Sequence, residues 1–181
     1  MLQATIYQTP IGPMSVLVDP TGHHDSRKGP RSGSVVAAGF CRPEDLISRL
    51  DDRRDNGPVR WNVVDDQPLT DQAVADYFGG DLNALRDVPV DQPGTVLQLE
   101  VWDRLRDVPA GSTVTYRQLA AATSSPRAVR AAGTACGRNL IAPFVPCHRA
   151  LRSDGSLGGY LYGLPVKKWL LDHEGRKAAQ A

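Results

Sequence analysis

The spacing of the apolar residues changes partway along the chain, and no other feature of the sequence constrains the fold as much. Near the start they form short runs, Ala4–Gln8, Met14–Val18 and the valine-rich Ser34–Phe40, the first two separated by the turn Thr9-Pro10-Ile11-Gly12-Pro13. Runs of that length bounded by Gly and Pro predict strands. Pro43 then opens a helix with Leu46, Ile47 and Leu50 on one face, and a second helix is expected over Thr70–Phe78, stopping at Gly79-Gly80. Further on, Leu97, Val101 and Leu105 recur at helical spacing with Trp102 beside them, and Pro109-Ala110-Gly111 closes that helix. Strands followed by helices predict an α+β protein. The expected division is a small strand and helix domain over 1–88, a linker at 89–94 within the proline-containing Asp87–Gly94, and a mostly helical domain over 95–181. Pro20–Gly33, made of Gly, Pro, Ser, His and charge, is expected to be a long mobile loop.

Charge follows the same division. The formal net charge is only +1, but residues 1–93 hold 9 Lys/Arg and 14 Asp/Glu, whereas residues 94–181 hold 12 and 6. Val108–Ser153 contains Arg117, Arg127, Arg130, Arg138, Arg149 and Arg152 and no acid. Such asymmetry points to a polyanionic partner, against the plainer reading of a solvated basic face. With 181 residues, 41% hydrophobic, the chain has the balance of a globular protein of one or two domains. No apolar run spans a bilayer and the start lacks a signal-like pattern, so a cytoplasmic location is expected. Three cysteines without a CxxC pair fit free thiols in a reducing compartment. A metal site from His23, His24 and Cys41 lacks a fourth ligand, and no metal is expected.

Two short helices are predicted within the basic stretch. Thr115-Tyr116-Arg117-Gln118 has capping-box form, so a helix should run from Tyr116 to about Thr123. Ser125 as cap, Pro126 in the first turn and Gly137 at the end predict another over Pro126–Cys136. Joined by a tight turn they read as a helix-turn-helix. On the second helix Val129, Ala132 and Cys136 share one side, and Arg127, Arg130 and Thr134 another.

Just beyond lies Pro146-Cys147-His148-Arg149 in an apolar setting. Burial alone would raise the thiol pKa and leave an inert cysteine, while neighbouring positive charge favours thiolate. Adjacent residues in extended chain point apart, so either the backbone bends at His148 or a water carries the proton. Glu174, at the end of a predicted Pro165–Glu174 helix, is a candidate to orient the imidazole.

These residues resemble the O6-alkylguanine-DNA alkyltransferases, also called methylated-DNA–protein-cysteine methyltransferases. Pro146-Cys147-His148-Arg149 is their signature, and the likeness runs colinearly from Val114 to Gly175. It passes through Thr115–Ala120, Pro126–Ala131, Gly137-Arg138-Asn139 and Val166–Gly175. The first half is similar more weakly, through Thr9–Pro13. The resemblance implies an RNase H-like N-terminal domain and a C-terminal domain carrying the helix-turn-helix and an active-site cysteine. It implies a direct-reversal DNA repair protein that flips O6-alkylguanine from duplex DNA. The alkyl group would pass irreversibly to Cys147, one per molecule, with no cofactor. His148 would act as the base, oriented by Glu174; Tyr116 would donate to N3 of the base; Lys167 would support Tyr116 or the active-site loop; Asn139 would brace the connecting turn. The carbonyls of Cys147 and Ala150 would read the exocyclic amine and the Leu161 N–H would face O6, with Pro146, Tyr160 and Tyr162 completing the pocket. Arg130 would enter the base stack, and Thr115, Arg127, Ala131, Thr134 and Arg138 would meet the DNA, in the minor groove. The partner would be double-stranded DNA containing O6-alkylguanine, the protein itself monomeric when free and not membrane-bound. Leu161 and Tyr162 replace small residues of some relatives, and Tyr162 is expected to narrow the alkyl pocket. Two rivals are a non-catalytic alkylguanine-binding or regulatory DNA-binding protein, which needs no thiol, and a Cys-His hydrolase, which leaves the basic helices unexplained.

Overall fold

A computed structural model describes residues 1–21, 33–53 and 57–178. All but the ends of the expected 20–33 loop lie outside the described residues, as do His23 and His24. The chain forms two compact units that are interleaved in sequence: Met1–Pro93 with Leu140–Phe144, and Gly94–Asn139 with Val145–Ala181.

The first unit is built on β1 (Leu2–Thr9), β2 (Gly12–Asp19), β3 (Ser34–Gly39) and β4 (Trp61–Val63), in the sheet order β3-β2-β1-β4. β1 and β2 form an antiparallel hairpin closed at Thr9↔Gly12, β2 pairs antiparallel with β3, and β4 runs parallel to β1. β4 is not foreseen in the sequence, since three residues offer no periodicity. Met14–Val18 and all of β3 are buried, which is why these strands read as apolar runs instead of alternating. Helix α1 (Pro43–Asp51) packs Leu46, Ile47 and Leu50 against β2 and β3. Helix α2 (Asp71–Gly79) is tied down at its start: the Tyr7 hydroxyl donates to Asp71 Oδ1 at 2.7 Å and pairs with Thr70 Oγ1 at 2.7 Å. The free edge of β3 is covered by bridges Val35↔Val90 and Ala38↔Ile141. Residues of the expected linker therefore run beside a strand, and Gln92 Oε1 accepts from Leu140 N at 2.8 Å.

The second unit holds α3 (Val96–Asp107), β5 (Val114–Thr115), α4 (Tyr116–Ala121), α5 (Val129–Gly137), a 3-10 turn (Cys147–Arg149), β6 (Ala150–Leu151) and α6 (Leu164–Ala178). Two capping boxes open its helices, Thr95 with Gln98 at α3 and Thr115 with Gln118 at α4. Trp102 Nε1 donates to Ala135 O at 2.9 Å, fastening α3 to α5.

Helix α5 corrects the sequence expectation. It begins at Val129, not Pro126, its N-cap is Ala128, and among the described residues no side chain caps it. Ser125 serves instead as a turn acceptor, taking the Ala128 N–H at 2.9 Å. Arg127 thus precedes the helix and shares no helical face with Arg130 and Thr134. Ala132 and Cys136 are buried as expected, but Val129 is exposed.

Candidate active site

The site is organised around the 3-10 turn. Its tight winding turns successive side chains by about 120°, so Cys147, His148 and Arg149 leave the backbone in three directions. Immediately after it, β6 pairs in parallel with β5 as Val114↔Ala150 and Thr115↔Leu151. That pairing brings the start of α4, and with it Tyr116, beside the cysteine turn.

Cys147 is buried, and Asn139 Nδ2 lies 3.2 Å from its Sγ while also donating to Val145 O at 2.8 Å. One amide thus spans the chain on the cysteine side and donates to the sulfur. Burial pushes the Cys147 thiol up, and the Asn139 hydrogen bond and the Lys167 charge oppose it without cancelling it. The resting group is a thiol, and a base would have to take its proton before the sulfur could act as a nucleophile.

His148 is the candidate for that base. Its Nε2 lies 2.8 Å from Glu174 Oε1, and its Nδ1 is buried with no hydrogen-bond partner among the described residues. Burial depresses its pKa below the ordinary 6.5, and the opposing pull of Glu174 does not restore it. A neutral ring donating through Nε2 to a carboxylate carries its lone pair on Nδ1. Glu174 stays ionised: burial alone would raise its pKa, but His148 and Arg149 hold it well below the carboxylate range.

Arg149 is the residue that sequence reasoning missed. Counted there as part of a basic stretch, it is buried, donating from Nε to Glu174 Oε2 and from Nη2 to Glu174 Oε1, both at 2.9 Å, and from Nη1 to Val108 O at 2.5 Å. Its charge is spent on Glu174 and not on a polyanion. The last helix offers two acids, Asp172 and Glu174; Asp172 pairs with Lys168 on its own helix, and Glu174 meets the His-Arg pair. Lys167 is also fully buried, with Nζ donating to Ala150 O at 2.6 Å, to Leu157 O and to Gly159 O at 3.4 Å. Of the two supports expected of Lys167, these contacts lie on the active-site loop. Ala150 O and Cys147 O each already accept one bond, from Lys167 and from Ala150 N, and each keeps a second lone pair.

Tyr116 is half-buried, and burial, with Cys136 and Cys147 close by, raises its phenol pKa. It remains a neutral donor at pH 7. Two glycines frame its ring: a Cβ on Gly158 would sit 2.8 Å from the hydroxyl, and one on Gly133 would sit 3.9 Å from Cδ1. Gly158 was not singled out from the sequence, because nothing local reveals a tertiary contact.

Pro146 and Ala150 are buried, Leu161 is exposed, and Tyr160 and Tyr162 meet edge to face with centroids 5.8 Å apart. Arg117, Arg127, Arg130, Arg138 and Arg152 are exposed, as is Thr134, while Ala131 is half-buried. Thr115 is occupied as a cap, accepting from Gln118 N at 3.1 Å.

Among the described residues no helix is long and apolar enough to cross a membrane. Cys136 and Cys147 are free thiols.

Residues 96–176 match the family model described as 6-O-methylguanine DNA methyltransferase, DNA binding domain. A methylated-DNA–protein-cysteine methyltransferase of Salmonella typhimurium is 43% identical over 122 residues, covering 67% of this chain and 71% of that protein. The crystal structure of Mycobacterium tuberculosis O6-methylguanine methyltransferase is similar across 98% of this chain and 94% of its own, with a TM-score of 0.73 and 28% identity. The structure of the Mycobacterium tuberculosis protein in complex with DNA is similar too, with a TM-score of 0.67 and 27% identity over 97% of this chain and 94% of its own. A mixed α+β fold shared along nearly the whole chain, with this sequence relationship, shows that the chain belongs to the O6-methylguanine-DNA methyltransferase family.

Proposed function

We propose that the protein repairs DNA by transferring the alkyl group of O6-alkylguanine, chiefly O6-methylguanine, to Sγ of its own Cys147. One observation carries this reading: a buried cysteine held by an amide donor, next to a neutral histidine whose Nε2 is committed to a carboxylate and whose Nδ1 is left open.

The chemistry follows from those positions. The Cys147 proton passes through a water to His148 Nδ1, and Glu174 stabilises the imidazolium that results. Asn139 and the Lys167 ammonium favour the sulfur anion as it forms. The thiolate attacks the O6-bound carbon in line, the S–C bond forms, and the C–O6 pair returns to the guanine. Charge developing on the base is met by a proton or hydrogen bond from Tyr116 at N3 and by the Leu161 N–H at O6. The free lone pairs of the Cys147 and Ala150 carbonyls read the exocyclic amine, and Tyr162, leaning on Tyr160, narrows the alkyl side. A thioether has no reverse path here, so each molecule acts once.

The base is reached by extrusion. Helices α4 and α5 act as a helix-turn-helix in the minor groove, where the small Ala131 and Gly133 let the backbone approach and Arg130 fills the vacated stack. Thr115, Arg127, Thr134 and Arg138 flank that contact. We read the first unit as RNase H-like, a reading supported by its β3-β2-β1-β4 order with β4 parallel to β1. The protein acts as a monomer in the cytoplasm.

The test is incubation with duplex DNA carrying O6-methylguanine, followed by mass spectrometry of the peptides. The expected result is a methyl group on Cys147, absent in Cys147→Ser. Methyl released to water would favour a hydrolase, and tight binding without modification would favour a non-catalytic damage sensor.

A further inference from the structure

The turn that leads into α5 is held from outside the helix pair, by two residues of α3 spaced one helical turn apart. Glu100 Oε2 accepts from Ser124 N at 2.9 Å and from Ser124 Oγ at 2.8 Å. Arg104 Nε donates to Ala122 O at 3.1 Å and its guanidinium also meets Asp107 at 3.5 Å. Within the turn, Thr123 Oγ1 donates to Ala120 O at 2.8 Å and accepts from Ser125 N at 3.2 Å.

This bracing falls where local structure is weakest. Both α3 and α4 open with a capping box, but α5 has no side-chain cap among the described residues. It is nine residues long and contains Gly133 together with the β-branched Val129 and Thr134, a composition that does not sustain a helix by itself. Its entry direction must come from tertiary contacts, and Glu100 and Arg104 supply them at the turn.

We propose that Glu100, assisted by Arg104, is a positioning residue for DNA engagement: it fixes the Ala122–Ser125 turn so that α5 presents Arg130 at a set angle to the duplex. This rests on α5 being the DNA-contact helix.

The consequence runs against simple electrostatics. Glu100 is an acid next to the basic stretch, so its removal should tighten binding to a polyanion if charge alone mattered. The clamp requires the reverse. In Glu100→Ala, affinity for duplex DNA at fixed salt should fall about five- to ten-fold, the loss of charge-assisted hydrogen bonds. Glu100→Gln, which keeps an acceptor and drops the charge, should recover most of the loss, and Ser124→Ala should show part of it. Transfer from free O6-methylguanine base, which needs no duplex, should remain within about two-fold of wild type in all three.

Unchanged or tighter duplex binding by Glu100→Ala would overturn the proposal. An equal loss with the free base would overturn it as well, because it would mark a general structural role. Absence of duplex binding by the wild-type protein would instead overturn the reading of α5 on which it rests. Circular dichroism melts of each variant separate misfolding from loss of the clamp.

Discussion

At the scale of single residues, the proposed reaction turns on two buried groups whose pKa values move in ways that would serve it. Burial raises the Cys147 thiol and lowers the His148 imidazole, so at neutral pH the pair rests as neutral thiol and neutral base. The transfer rate should therefore hold as pH falls through 6.5, the ordinary histidine value, and decline only below it as the ring protonates. Single-turnover rates on methylated duplex across pH 4.5–8 check this, and a half-maximal point at or above 6.5 would count against the neutral base. Cys147, His148 and Glu174 could be named from the sequence because one tetrapeptide and one helix-borne acid carry them. Arg149 was misassigned because residue type reports charge but not where the charge is satisfied. Its two bonds to Glu174 exist only after α6 has folded against the 3-10 turn.

At the scale of elements, the parallel β5–β6 pair and the glycines around Tyr116 set the proposed donor beside the cysteine turn. Gly158 combines a φ of +69° with the close approach to the Tyr116 hydroxyl. Gly158→Ala should cost about 1–2 kcal/mol from the left-handed backbone and slow transfer about 10- to 100-fold by displacing the phenol. Gly155 has a φ of +82° with nothing among the described residues within 4 Å of a Cβ, so Gly155→Ala carries the strain alone. It should lose stability with little loss of rate. Similar rates for both variants would remove Gly158 from the positioning of Tyr116. Elements with their own punctuation were legible: the Thr115–Gln118 box set the start of α4 in advance. Helix α5 was misread at its start because Ser125-Pro126 has the look of a cap and first turn, whereas the chain uses both in a tertiary turn braced by Glu100 and Arg104. β4, β5 and β6 have only two or three residues each and left no periodic trace.

At the scale of the whole molecule, the net charge of +1 conceals the unequal halves, and the structure refines that division. Of the six arginines in the acid-free stretch, Arg149 is turned inward and the other five are exposed. Binding to duplex DNA is thus expected to weaken steeply with salt. The same interior makes the fold sensitive to acid. His148 and Glu174 both have depressed pKa values, so the unfolded chain binds more protons than the folded one. Their contribution is complete above the unfolded values of 6.5 and 4.5 and is lost as pH falls through the folded ones. Urea melts should show stability declining from pH 7 toward pH 4, with a shallower slope in the acid range for Glu174→Gln.

The central claim is that a single thiol accepts the alkyl group and keeps it. Its most direct test is a titration in which duplex DNA carrying O6-methylguanine is added in several-fold excess and the repaired guanine is counted against protein. Repair that stops at one guanine per protein molecule, with Cys147 alkylated, is the predicted result. Repair that continues past one per molecule, or that persists in Cys147→Ser, would contradict it.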